Sequence, residues 1–114
     1  MNLPVYLIQK INKQAHQIHA KEFQMLIEVI SNPSKSFLDE MGVTSWSIWE
    51  KEASQFPWTY DMKEVCYILE GEVWVTPRDG EAVKIQAGDF VTFPKGMSCD
   101  WNITQDIRKH YQFI

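Results

Sequence analysis

Alternation of apolar and polar positions dominates the chain. Met97, Cys99, Trp101 and Ile103 alternate with Ser98, Asp100 and Asn102. A period of two places the first set on one face of a strand and the second set on the other. Ile107, Lys109, Tyr111 and Phe113 form a second inward row, set against Arg108, His110 and Gln112. Further strand-like runs cover 25–30, 45–50, 64–69, 72–77, 82–86 and 90–93. Gly71 separates two of these runs. Asp79-Gly80 marks a two-residue hairpin, and Gly88-Asp89 and Pro94-Lys95-Gly96 mark tight turns. Many short strands at even spacing predict an all-β barrel or sandwich.

A different period opens the chain. Leu7, Ile11, Ala15 and Ile18 share one face of a helix. This predicts an amphipathic helix over 5–21, with Pro4 at its first turn. Residues 1–23 are therefore read as a helical N-terminal extension, packed on the barrel or on a partner subunit, and 24–114 as the barrel domain. A second, short helix is expected after the first strand. Asn32 would cap it, Pro33 would take its first position and Gly42 would end it.

Val65, Tyr67 and Leu69 make the second face of the 64–69 run apolar as well. A barrel strand normally keeps one wet face. A cover is expected from the extension, another sheet or a second subunit, and a homodimer is the favoured form.

The chain has 114 residues, which suits one domain. Hydrophobic residues make up 45% and aromatic residues 13%, enough for a core rich in large rings. The net charge of −4 and the lack of a basic block in the barrel argue against a nucleic-acid partner. No apolar run approaches ~20 residues, so no membrane span is expected. No secretory pattern opens the chain. Residues 1–21 carry Lys10, Lys13 and Lys21 without an acid, but they lack the Arg and Ser of a transit peptide. Cys66 and Cys99 form no CxxC pair, which fits a reduced, cytoplasmic protein, although their spacing leaves a single bridge open.

The turn residues carry a resemblance. Glu64 and Gly71 fit the second half of the first cupin motif, whose two histidine positions fall on Trp58 and Tyr60. Gly88, Pro94 and Gly96 fit the second motif, whose histidine and asparagine positions hold Cys99 and Ile103. Phe56-Pro57-Trp58-Thr59-Tyr60-Asp61, Tyr67-Ile68-Leu69-Glu70-Gly71, Phe93-Pro94-Lys95-Gly96 and Arg108-Lys109-His110-Tyr111 narrow the likeness. Over about 24–114 the chain resembles the small single-domain cupins related to (S)-ureidoglycine aminohydrolase. That resemblance implies an RmlC-like jelly-roll barrel. The enzyme of that branch is a two-cupin manganese protein, and its histidine ligands have no counterparts here. Its activity is therefore not expected.

The remaining donors are few. Transition-metal sites of this kind need three or four converging N, O or S atoms. Glu64 and Cys99 are two, and Tyr60 would have to ionise to join them. Alternation turns Glu64, Cys99 and Lys109 inward, and a buried charge needs a partner. A Glu64–Lys109 ion pair is expected in place of a metal, with both residues as candidate catalytic groups. Trp58, Tyr60, Cys99, Trp101 and Tyr111 are the expected ligand-binding wall. His16 and His19 share a helix face without a carboxylate beside them and are read as solvated. His110 faces outward, and Cys66 is read as core.

Three functions fit these residues. One is a barrel that binds a small polar molecule, or acts on it as an enzyme, without a metal. Another is a metalloenzyme in which Glu64 and Cys99 hold a divalent metal in an atypical shell. The third is a structural dimer module whose barrel is closed by packed rings.

Overall fold

The computed structural model describes residues 26–114. The helix expected over 5–21 lies outside them. Seven strands follow in order: β1 (Glu28–Ser31), β2 (Ser47–Lys51), β3 (Ser54–Thr59), β4 (Glu64–Pro77), β5 (Val83–Gln86), β6 (Asp89–Phe93) and β7 (Ser98–Phe113). One short helix, α1 (Lys35–Met41), and a 3₁₀ turn over Val43–Ser45 lie between β1 and β2. Among the described residues no helix is long and apolar enough to cross a membrane.

All strand pairs are antiparallel. Two long, bent strands form the spine, because β4 and β7 pair along their whole length. The first half of β4 and the second half of β7 continue into β6, β1 and β2. The other halves continue into β5 and β3. The resulting barrel encloses one core that includes Cys66, Ile68, Val73, Val75, Val91, Phe93, Met97 and Ile107. This is the jelly-roll arrangement expected of a cupin.

Three local expectations need correction. The runs 64–69 and 72–77 are one strand, as are 97–102 and 107–113. Gly71 does not end a strand but bends it. Register shifts against β7 cluster around this glycine, where φ is +100° and an added Cβ would collide with the Asp106 carbonyl. A left-handed backbone in close contact with another strand requires glycine. Asp79-Gly80 lies in a turn closed by Gly80 N–H donating to the Pro77 carbonyl at 3.1 Å. Because β4 and β5 pair only from Val75↔Val83, this connection is a longer loop and not a two-residue hairpin.

The cap of α1 is Ser34, whose Oγ accepts from Phe37 N–H at 3.1 Å. Asn32 instead adopts φ 52° and donates its N–H to the Gly88 carbonyl at 2.9 Å. It secures the end of β1 against the turn before β6. Gly42 ends the helix in the left-handed conformation, as its position predicts.

The second apolar face of β4 is covered from within the chain. Val65 packs with Val43, Trp46 and Phe90, and Phe37, Leu38 and Tyr67 complete that cluster. His110 fastens it by a 3.1 Å hydrogen bond from Nδ1 to the Trp46 carbonyl. Val65 and Tyr67, two of the three residues of the apolar face that suggested a partner subunit, thus pack against α1 and the turn after it.

Candidate functional site

The site begins with Glu64, the first residue of β4. It pairs across the sheet with Phe93 of β6 and Phe113 of β7. Lys109 lies on β7 and pairs with Ile68 of β4 and Trp49 of β2. Both side chains point into the barrel. Glu64 is 3% exposed and Lys109 is 5% exposed. Lys109 Nζ donates to Glu64 Oε2 at 2.7 Å, which makes a buried ion pair.

Aromatic rings surround the Lys109 ammonium. Its Nζ lies 4.8 Å from the ring centroids of both Trp49 and Trp101. Phe93 is farther, at 6.0 Å. The negative face of an aromatic ring attracts a cation, and the attraction grows when water is excluded. The rings also hold one another. Phe56 stacks on Trp101 at 5.9 Å, Trp49 meets Trp101 edge-on at 5.9 Å, and Tyr60 stacks on Phe93 at 4.8 Å. These contacts fix the rotamers around the pair.

Above the pair lies a cavity of about 220 Å³. Trp49, Phe56, Trp58, Tyr60, Glu64, Trp101, Lys109, Tyr111 and Phe113 line it. Trp58 and Phe113 are exposed and form its rim. Among the described residues Glu64 and Lys109 are the charged groups of this lining, and their formal charges cancel.

Two of the lining residues carry a buried polar atom, Tyr60 Oη and Trp101 Nε1, that makes no hydrogen bond among the described residues. The indole N–H is near enough to the phenol to oppose slightly the rise of its pKa, but it does not reach hydrogen-bond geometry. Burial, followed by the Glu64 charge, pushes the Tyr60 phenol far above its ordinary value. Tyr60 is therefore a neutral hydroxyl that can donate.

The structure brings Trp58, Tyr60, Glu64, Trp101, Lys109 and Tyr111 to one cavity. Cys99 is not in its lining. The thiol lies behind the wall and donates weakly to the Trp58 carbonyl at 3.7 Å. Burial pushes it up to about 11, with the Trp101 indole opposing the rise. Cys66 is fully buried in the core, and burial pushes its thiol up to about 12. Both thiols are free.

This donor set does not suit a transition metal. Glu64 is already engaged by an ammonium, Tyr60 strongly resists ionisation, and Cys99 is held as a thiol away from the cavity. Among the described residues no three His, Cys, Asp or Glu side chains converge as a metal shell.

Trp49, Phe56 and Phe113 were absent from the wall expected from sequence. Trp49 shares its strand face with Ser47 and Lys51 and alternates with Ile48 and Glu50, a mixed pattern in which neither face reads as the inward one. Phe56 was hidden because Ser54–Thr59 contains Pro57 and did not read as a strand. Among the described residues that strand pairs with β7 alone, and an edge strand accommodates proline.

Comparison with known proteins agrees with the fold. A family model described as an EutQ-like cupin domain matches residues 38–111. A stretch of 60 residues, 53% of this chain, is 35% identical to the acetate kinase EutQ of Escherichia coli K12 and covers 25% of that protein. The acetate kinase EutQ of Salmonella typhimurium LT2 is 38% identical over 56 residues, 49% of this chain and 24% of its own. The matches thus span about a quarter of these curated relatives. Among solved structures, a DUF861 family protein from Thermotoga maritima is 47% identical with a TM-score of 0.76, covering 78% of this chain and 100% of that one. A putative ethanolamine utilization protein Q from Salmonella typhimurium LT2 is 26% identical with a TM-score of 0.51, covering 75% and 66%.

Proposed function

The chain belongs to the EutQ-like cupin domain family, and we propose that it binds a small polar molecule in the barrel cavity without a histidine-held metal. The carrying observation is the buried Glu64–Lys109 pair at the cavity floor. The one retained cupin ligand position is neutralised by a cation from the same chain. Aromatic walls with a few fixed polar groups are the usual make-up of a small-molecule site. A cavity of this size also speaks against a barrel closed entirely by packed rings.

Neither relative lends its activity directly. The resemblance to the (S)-ureidoglycine aminohydrolase branch stays at the level of the cupin superfamily, because Trp58, Tyr60 and Cys99 replace the manganese-binding histidines. The kinase activity in the name of the EutQ relatives belongs to proteins of which this chain matches about a quarter. A cavity of about 220 Å³ is below the roughly 300–1,000 Å³ of drug-sized pockets and favours a ligand much smaller than a nucleotide.

A library of small polar molecules, screened by two-dimensional NMR of the full chain, tests the proposal. Hits should perturb the indole signals of Trp49 and Trp101. A library that leaves both indoles unmoved would overturn the reading.

A further inference from the structure

We infer that residues 1–25 cover the mouth of the cavity, seating Leu7, Ile11, Ala15 and Ile18 on its apolar rim. The inference goes beyond the functional reading and does not depend on what the cavity binds.

The rim is the first observation. Nine large hydrophobic residues are exposed among the described residues, and five of them, Leu26, Trp58, Met62, Phe113 and Ile114, gather at one end of the barrel. Trp58 and Phe113 line the cavity itself. Ile114 donates its N–H to the Lys63 carbonyl at 2.8 Å, next to Met62. Gly96 donates its N–H to the Tyr60 carbonyl at 2.7 Å, which ties the turn after β6 to the same loop. The antiparallel register of β1 on β6 pairs Glu28 with Thr92. Carried back two residues, it sets Leu26 opposite Pro94 of that turn. An apolar patch gathered around a pocket marks a surface that something covers.

The point where the chain enters the barrel selects the occupant. Residues 1–25 lie outside the described residues and join the barrel at Leu26, on the rim. Seven residues separate Ile18 from Leu26. They reach at most ~25 Å when extended, which keeps Ile18 near this end of the barrel. A short tether also gives an effective concentration in the millimolar range, above that of a second copy in dilute solution. Leu7, Ile11, Ala15 and Ile18 have the spacing of one apolar helix face, which matches an apolar rim. Charge agrees with this choice. Residues 1–25 carry three lysines and one glutamate while the whole chain is net −4, so the excess of acid lies in the barrel and attracts them.

A nitroxide attached to Asn12→Cys in the full chain tests the inference by NMR. Cys66 and Cys99 are buried, so the new thiol is the one that reacts. The label should broaden the Trp58 indole signal and the Met62 and Ile114 amides. Gly71 and Gly88 sit at the opposite end, where the Ala87 N–H meets the Gly71 carbonyl at 3.1 Å, and should stay sharp. Adding Ile11→Asp should lower the docked fraction about tenfold, the scale of one isoleucine left unburied, and restore the rim signals. The dispersion of the same spectra checks that the barrel stays folded. Isotope-labelled chains without nitroxide, mixed with nitroxide-bearing chains of natural isotopic content, should stay sharp throughout. Broadening in that mixture would give the rim to a second copy and overturn the inference. Rim signals that the tethered label leaves sharp, or broadening that Ile11→Asp does not relieve, would overturn it as well.

Discussion

Lys109 and Glu64 lie 45 residues apart in sequence and 2.7 Å apart in the barrel. The contact joins the beginning of one spine strand to the far half of the other. Trp49 and Trp101 face the ammonium at equal distance, 4.8 Å. A fixed cation thus stands beside the glutamate that would bind a metal in a metal-holding cupin.

Breaking the pair should destabilise the barrel. Lys109→Met strands a carboxylate, and Glu64→Leu strands an ammonium. Each should cost about 3–5 kcal/mol in urea unfolding. The double variant should be more stable than either single variant, because no charge is left unpaired. A double variant that loses the sum of both costs would show that the two groups act independently.

Metal removal should leave the fold unchanged. Incubation with EDTA followed by desalting is expected to preserve the thermal midpoint, and elemental analysis should find well under one transition-metal ion per chain. A midpoint that falls with EDTA and returns with manganese or zinc would point to a metal shell that includes Glu64.

Tyr60→Phe should be neutral or stabilising. The hydroxyl is buried without a partner among the described residues, so its removal ends a desolvation cost without breaking a hydrogen bond there. A gain of up to about 1 kcal/mol in urea unfolding is expected. A loss above that size would reveal a partner for the hydroxyl. Stability held below its optimum in this way is common where a site is kept ready for a ligand.

Stability should fall as pH rises above about 9. Burial raises the Cys66 thiol from its ordinary 9.0 to about 12. Between those values the unfolded chain has released the proton and the folded chain has kept it. The folded state therefore binds more protons, and the slope of stability against pH is negative, by up to about 1.4 kcal/mol per pH unit for one such thiol. The contribution is fully present below pH 9.0 and is lost as pH approaches 12. Cys66→Ala should flatten this slope, which urea unfolding at a series of pH values can measure.

Gly71→Ala and Gly96→Ala should separate crowding from backbone strain. Both glycines have positive φ, but a Cβ at Gly71 meets the Asp106 backbone while a Cβ at Gly96 meets open space. Gly71→Ala should cost at least about 2 kcal/mol. Gly96→Ala should cost about 1 kcal/mol, from strain alone. Equal losses would mean that β4 can move away from β7 at the bend.

Which side chains face inward was legible from residue order alone. Alternation is a property of the strand backbone, so Lys109 and Trp101 could be assigned to the interior without knowing the neighbours of β7. Glycine and proline spacing likewise determined the turns of a cupin barrel. What alternation leaves open is which inward residues meet, because that depends on register between strands. Pairing of β7 with β2 brought Trp49 beside Lys109, and pairing with β3 brought Phe56 against Trp101. The bend at Gly71 let two runs continue as one strand and kept both halves of the spine paired. Long-range pairing also set Cys99 behind the wall while Tyr60 and Trp101 line the cavity. A residue's face follows from local backbone geometry, but the neighbours it finds there follow from long-range strand pairing.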